Sequence, residues 1–401
     1  MSVYQMLILA STLVIASYLF NLAARRTRIP AVLLLIATGV ILRRFDVTAL
    51  PAASVQPLVG FLGTVGLIMI VLEGSLDLKI SRESLATVRN AFLSALVLLL
   101  ASSLGVAFLF RLWLAEPWRI CLAYAIPLAV ISSAIVLPSV GHLEAGKREF
   151  IVCEATFSDI LGIVLFNEVV FGDLGSVFAV ALAGAELVLM VGLSLVTALG
   201  LFLLIGWFGS RERFFLLFAI LILLFSLGKL FHLSSLILIM AFGLVTRNFR
   251  SISRSLPWGR FDTGTGEATL EELRKMTAET SFLVRTFFFI LFGYGIDFSL
   301  LGSEVVLQVG GITVALFLLL RWIYLKFLLR IRVFPELFLS PRGLITILLF
   351  YSIPDQFKTR HFDEGVVTFV VLATNILMAV ALVVCRRSTQ EVCLQEGERS
   401  P

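Results

Sequence analysis

The chain has 401 residues, of which 59% are apolar and 15% charged, with 35 Phe and a net charge of +5. That balance excludes a soluble globular domain. The basic excess sits at the ends of apolar runs, where it marks orientation and anchoring and not a nucleic-acid surface. Repeated apolar runs of about twenty residues predict an all-α polytopic membrane protein, because lone strands cannot satisfy their backbone in lipid.

About thirteen spans are predicted, at roughly 3–20, 29–42, 58–75, 88–110, 119–140, 149–171, 178–208, 213–230, 233–247, 281–299, 303–329, 336–353 and 364–385. The Val3–Phe20 run lacks a basic leader and a small-residue cleavage site, so it reads as a first span and not a signal peptide. With the N-terminus outside, 22 of the 32 Lys and Arg fall in inside loops and the tail, seven fall outside, and Arg285, Arg321 and Arg342 fall within spans. This asymmetry predicts a cytoplasmic C-terminus in a multi-pass protein of the cell (inner) membrane. The long inside loop, 248–280, is rich in Ser, Gly and charge in its first half. Its second half, Glu267–Glu279, has the pattern of an amphipathic helix at the membrane surface. Cys121, Cys153, Cys385 and Cys393 have neither metal nor disulfide spacing. No Gly-rich nucleotide loop is present, so neither an ATP-driven pump nor a bound cofactor is expected, and the chain does not read as an enzyme.

Charges inside the spans carry the functional signal, because an ionised group in hydrocarbon must be paired, hydrated or neutralised. Span six holds Glu154-Ala-Thr-Phe-Ser158-Asp159. Counting at 1.5 Å per residue, Glu154 lies roughly 7 Å and Asp159 roughly 15 Å from the inner end, the latter near the bilayer centre. Arg321 in span eleven is at matching depth, about 12 Å, so Glu154 is its expected structural partner. Span five has Ser132-Ser133 between Pro127 and Pro138, and span twelve opens Ser340-Pro341-Arg342-Gly343. Prolines there predict two interrupted helices, each central in a three-span group (4–5–6 and 11–12–13) of opposite orientation. That is the pattern of an inverted-repeat secondary transporter with two discontinuous helices crossing at an ion site. Secondary candidates are Glu73, at the inner end of span three, and Arg285, near the inner end of span ten. Glu168 and the three His (His142, His232, His361) read as span-end or surface groups, and Glu186 in span seven reads as facing a cavity or lying near the outer surface.

These residues resemble the cation/proton antiporter superfamily, the sodium/proton exchangers. Glu154-Ala-Thr-Phe-Ser158-Asp159 resembles the motif E-S-x-x-N-D, and Ser132-Ser133-Ala-Ile-Val resembles S-S-T-A-I-V-L of the Kef-type potassium/proton branch. Arg285-Thr-Phe-Phe-Phe-Ile-Leu-Phe-Gly and Ser340-Pro-Arg342-Gly343-Leu-Ile are also similar to exchanger segments. The chain departs from the exchangers where Ser132-Ser133 replaces T-D-P and Ser158 replaces the Asn.

The resemblance implies exchange of a monovalent cation (Na+ or K+) for H+ across the bilayer. Asp159, Ser158, Ser132 and Ser133 would bind the ion or proton, Glu154 and Arg321 would brace the site, and Arg342 would balance charge at the crossing. It also implies a homodimer. The expected division is a single transmembrane domain, 1–401, with a core bundle (about 88–171 and 303–386) and a panel (about 1–80 and 213–299). A linker helix (about 178–208) and a short cytoplasmic tail (387–401) complete it. One central carboxylate predicts one cation for one proton, electroneutrally. A sodium/solute symporter of similar form and a non-transporting membrane sensor are the alternatives; no filter element supports a channel.

Overall fold

The computed structural model describes residues 3–27, 29–45, 52–77, 85–141, 143–172, 192, 196, 218–223, 225–226, 235–253, 263–330, 333–359 and 361–397. Among these, all regular structure is helical. The α-helices are α1 (Val3–Thr27), α2 (Ala31–Arg44), α3 (Ala52–Asp77), α4 (Leu85–Leu114), α5 (Trp118–Ala129), α6 (Ser133–Ser139), α7 (Ala145–Phe171), α8 (Ser235–Ser253), α9 (Thr263–Gly295), α10 (Phe298–Leu301), α11 (Glu304–Ile323), α12 (Leu344–Tyr351) and α13 (Gly365–Gly397). A π-helical turn, Tyr324–Leu329, extends α11. Six of these helical stretches are long and apolar enough to cross a membrane.

Span five is interrupted as predicted: it is two helices, α5 and α6, and the break falls at residues 130–132, between the two prolines. Pro127 lies inside α5 and Pro138 inside α6. The helices otherwise match the predicted spans with three differences. Span twelve begins later than expected, because only 344–351 is α-helical and the preceding stretch is irregular around a short turn at Glu336–Phe338. The loop segment 267–279 is not a separate surface helix. It continues without interruption into span ten as α9, since the sequence offers no Pro or Gly between Glu267 and Phe292 to end it. Leu273, Thr277 and Ser281, at a spacing of four, are buried along one face of it. The tail expected from residue 387 likewise begins as the last turns of α13. Most of span seven (178–208, with Glu186), most of span eight, and His142 and His232 lie outside the described residues.

Two packing groups emerge. In one, α9 lies along α2 and α3, α8 packs on α3, and α1 on α2. The α2–α9 contact is backbone to backbone: a Cβ on Gly39 would fall 2.0 Å from the Ile290 carbonyl oxygen, and one on Gly293 2.2 Å from that of Ile36. Arg43 locks the pair by donating to the Ile296 carbonyl at 2.6 Å, beyond the end of α9. In the other group α4 packs on α5 and α7, α6 on α7, α11 on α13 and α4, and α12 on α5. Arg119 of α5 caps α7 by donating to the Val169 and Gly172 carbonyls at 2.7 and 2.6 Å. The groups meet where α3 touches α7 and α12. Large side chains such as Leu104, Phe108 and Leu112 point outward, as hydrocarbon contact permits.

Candidate functional site

Span six forms α7, whose middle carries two acids that are each 1% exposed, Glu154 and Asp159. Five residues apart, they point about 140° apart around the helix. They therefore meet different neighbours.

Glu154 meets Arg321 of α11 fork to fork. Nη2 lies 2.8 Å from Oε2 and Nη1 3.2 Å from Oε1. Ser94 of α4 donates to the same Oε1. The remaining Arg321 Nε donates to the Glu336 carbonyl at 2.9 Å, and the Glu336 carboxylate takes Lys147 at 2.9 Å. A bidentate buried pair with its other hydrogen-bonding capacity used is the arrangement in which desolvation is best offset.

Asp159 is held on one side. Its Oδ2 accepts from the Ser133 backbone N–H at 3.1 Å and from the Ser133 hydroxyl. Its Oδ1 is buried and has no hydrogen-bond partner among the described residues.

Ser133 comes into reach because the backbone is extended just before it, with Val130 at ψ 129° and Ser132 at ψ 111°. Broken backbone inside a membrane protein must find partners, and three consecutive N–H groups do. Ile131 donates to the Ser158 hydroxyl at 3.0 Å, Ser132 to the Pro341 carbonyl at 2.9 Å, and Ser133 to Asp159. The Ser132–Pro341 bond joins the two breaks directly. Close approach at the crossing requires two glycines. A Cβ on Gly162 would meet Val130 at 2.2 Å, and one on Gly343 would meet Ile135 at 2.5 Å and the Ser132 hydroxyl at 2.8 Å.

The second break is served from α13. The Arg342 N–H donates to the Thr374 hydroxyl at 3.1 Å, and Asn375 Nδ2 donates to the Arg342 carbonyl at 2.8 Å. The Arg342 guanidinium is buried 4.3 Å from the centre of the Phe317 ring, and its Nε and Nη1 have no hydrogen-bond partner among the described residues.

The expected site residues thus separate by neighbour. Ser133 touches Asp159. Ser158 faces the Ile131 N–H, and Ser132 reaches the second break through its backbone. Arg342 contacts Phe317. Arg285 Nη2 lies 3.4 Å from Glu73 Oε2, and Arg285 Nη1 donates to the Ala134 carbonyl. His361 is exposed beside Glu116 and Thr359, away from these groups. Sequence reading missed Ser94, Glu336, Thr374 and Asn375. The last two had a usable signal: an adjacent polar pair in the middle of an apolar span, the third of its group, as Ser158-Asp159 is in the other.

Two oppositely oriented groups with crossed breaks, and a buried acid against one of them, define a secondary antiporter for cations and protons. The transmembrane family of sodium/hydrogen exchangers matches residues 9–385, and the chain belongs to that family. Its fold is similar to that of the sodium proton antiporter MjNhaP1 from Methanocaldococcus jannaschii in two structures. One, at pH 8, has a TM-score of 0.68 at 19% identity, covering 96% of this chain and 99% of that one. The other, from an electron microscopy map, has a TM-score of 0.68 at 20% identity and covers both chains completely. No curated protein matches the sequence.

Proposed function

We propose that the chain exchanges one monovalent cation, Na+ or K+, for one H+ at Asp159, without net charge movement and without a cofactor. The observation that carries this reading is the asymmetry of the carboxylate: Ser133 fixes Oδ2, while Oδ1 is buried with no hydrogen-bond partner among the described residues. A fixed carboxylate with an open oxygen can take a proton or a hard cation, and not both. The buried hydroxyl of Ser132, which also lacks a described partner, lies against the same break and supplies a further hard oxygen. Ser158 holds the break in shape, Glu154 and Arg321 brace α7 against α11, and Arg342 balances charge at the crossing.

Alternating access follows from the two packing groups. The group of α4–α7 and α11–α13 is the mobile core, and α1–α3 with α8 and α9 form the panel against which it rocks. The N-terminus lies outside and the C-terminus in the cytoplasm of a cell (inner) membrane, by the loop charges. The working unit is a homodimer, as the family resemblance implies. The deciding measurement is dye-monitored exchange in proteoliposomes with sodium or potassium at imposed potentials. A rate that is independent of voltage in the parent protein, and absent in Asp159→Asn, is expected. A voltage-dependent endpoint rejects the one-for-one stoichiometry, and normal exchange by Asp159→Asn rejects the site.

A further inference from the structure

Arg285 makes contacts that cation binding at Asp159 does not explain. It lies on α9, half-buried between the two packing groups. Its Nη1 donates to the Ala134 carbonyl on α6 at 3.3 Å, and its Nη2 lies 3.4 and 3.5 Å from the two carboxylate oxygens of Glu73 on α3. The Ala134 carbonyl is available for a chemical reason. In an unbroken helix it accepts from the N–H four residues on, but that residue is Pro138, which has none. Arg285 supplies the missing donor from another helix.

One guanidinium therefore ties α3 and α9 to α6. Helix α6 begins at Ser133, the residue that holds Asp159, and Ala134 is the next residue along. Arg285, Glu73 and Ala134 all sit toward the end of the bundle that the loop charges place inside. We infer that Arg285 is a latch that closes the inner side of the site and sets which face of the membrane Asp159 addresses at rest. The inference rests on the proposed rocking of the core against the panel. In that motion Arg285 and Glu73 travel together with the panel, so their ion pair survives. Ala134 travels with the core, so the bond to its carbonyl exists in one orientation and is lost in the other. A contact present in one of two states biases the equilibrium between them.

The test is a comparison of apparent cation KM from the two faces, measured with sodium chloride in right-side-out and everted vesicles. Arg285→Gln removes the charged latch and shifts the resting population toward inner access. The ratio of outer to inner KM is expected to rise roughly fivefold or more. Arg285→Lys retains a cationic donor and should restore much of the parent ratio. Pro138→Ala gives the Ala134 carbonyl an N–H within its own helix, competes with Arg285, and should move the ratio the same way by less. If Arg285→Gln fails to fold, Pro138→Ala decides the matter. An unchanged ratio in the folded variants, or a proportional change of both KM values, overturns the latch. Those outcomes with an inactive Asp159→Asn remove the latch alone, whereas exchange by Asp159→Asn removes the site on which the motion is argued.

Discussion

At the first break, Ser158 and Asp159 of α7 accept from the Ile131 and Ser133 N–H groups. At the second, Thr374 and Asn375 of α13 accept from the Arg342 N–H and donate to its carbonyl. Each pair is a hydroxyl followed by a carboxyl or amide group, on the third span of its group, and each stitches the broken helix before it. An amide is sufficient for that work at the second break. The negative charge at Asp159 is therefore not demanded by the architecture, and it is the asymmetry between the two halves that the proposed exchange at Asp159 uses.

Breaking the comparison at its centre gives the largest effect. Asp159→Asn places an amide at both breaks, and its carbonyl oxygen can still accept from Ser133. Exchange is expected to vanish while thermal stability in detergent stays close to the parent value; an unfolded variant contradicts the equivalence of the two pairs. Arg321→Ala should do the reverse, leaving Glu154 buried without its cation at a cost of about 3–5 kcal/mol. Thermal unfolding in detergent measures this, and near-parent stability is incompatible with a bracing role.

Smaller changes sharpen it. Asn375→Asp removes the donor that serves both the Arg342 carbonyl at 2.8 Å and the Val371 carbonyl at 2.7 Å. It should lower stability by about 1–3 kcal/mol, the cost of stranding buried polar groups, read as a fall in Tm. The smallest effects belong to the hydroxyls. Ser158→Ala and Thr374→Ala each strand one backbone N–H and should each cost about 1 kcal/mol. Exchange assays on both should separate them, since the break that Ser158 holds in shape carries Ser133 beside Asp159, and its loosening should alter the sodium-to-potassium preference. An unchanged preference in Ser158→Ala uncouples the shape of the break from ion choice.

Depth made the Glu154–Arg321 pair legible, because 1.5 Å per residue can be counted from the ends of two separate spans. The same count could not choose among Ser132, Ser133 and Ser158. Which hydroxyl reaches the acid depends on the dihedral angles of the broken segment, and those depend on Pro341, about 200 residues away in sequence. The prolines signalled that span five is interrupted and bracketed the break at residues 130–132, although each proline lies inside a helix. A proline deprives the carbonyl one turn earlier, so its consequence appears at a distance, as Ala134 shows. Thr374 and Asn375 carry no charge to mark them in the sequence, and a neutral polar pair is cheap to bury once its hydrogen bonds are made. Helix α9 was divided in two because its polarity changes along its length, although nothing in the chain stops the backbone hydrogen bonding.

The Glu154–Arg321 pair also bears on biogenesis. Its partners are 167 residues apart in the chain. At about 5–20 residues per second of synthesis, roughly 8 to 33 s separate the appearance of the acid from that of its cation. Ser94, the other side chain bonded to Glu154, precedes it and is already made. The nascent N-terminal half thus carries a half-satisfied acid until the later half is translated, and insertion of this chain into the bilayer is complete only when the ribosome has supplied Arg321.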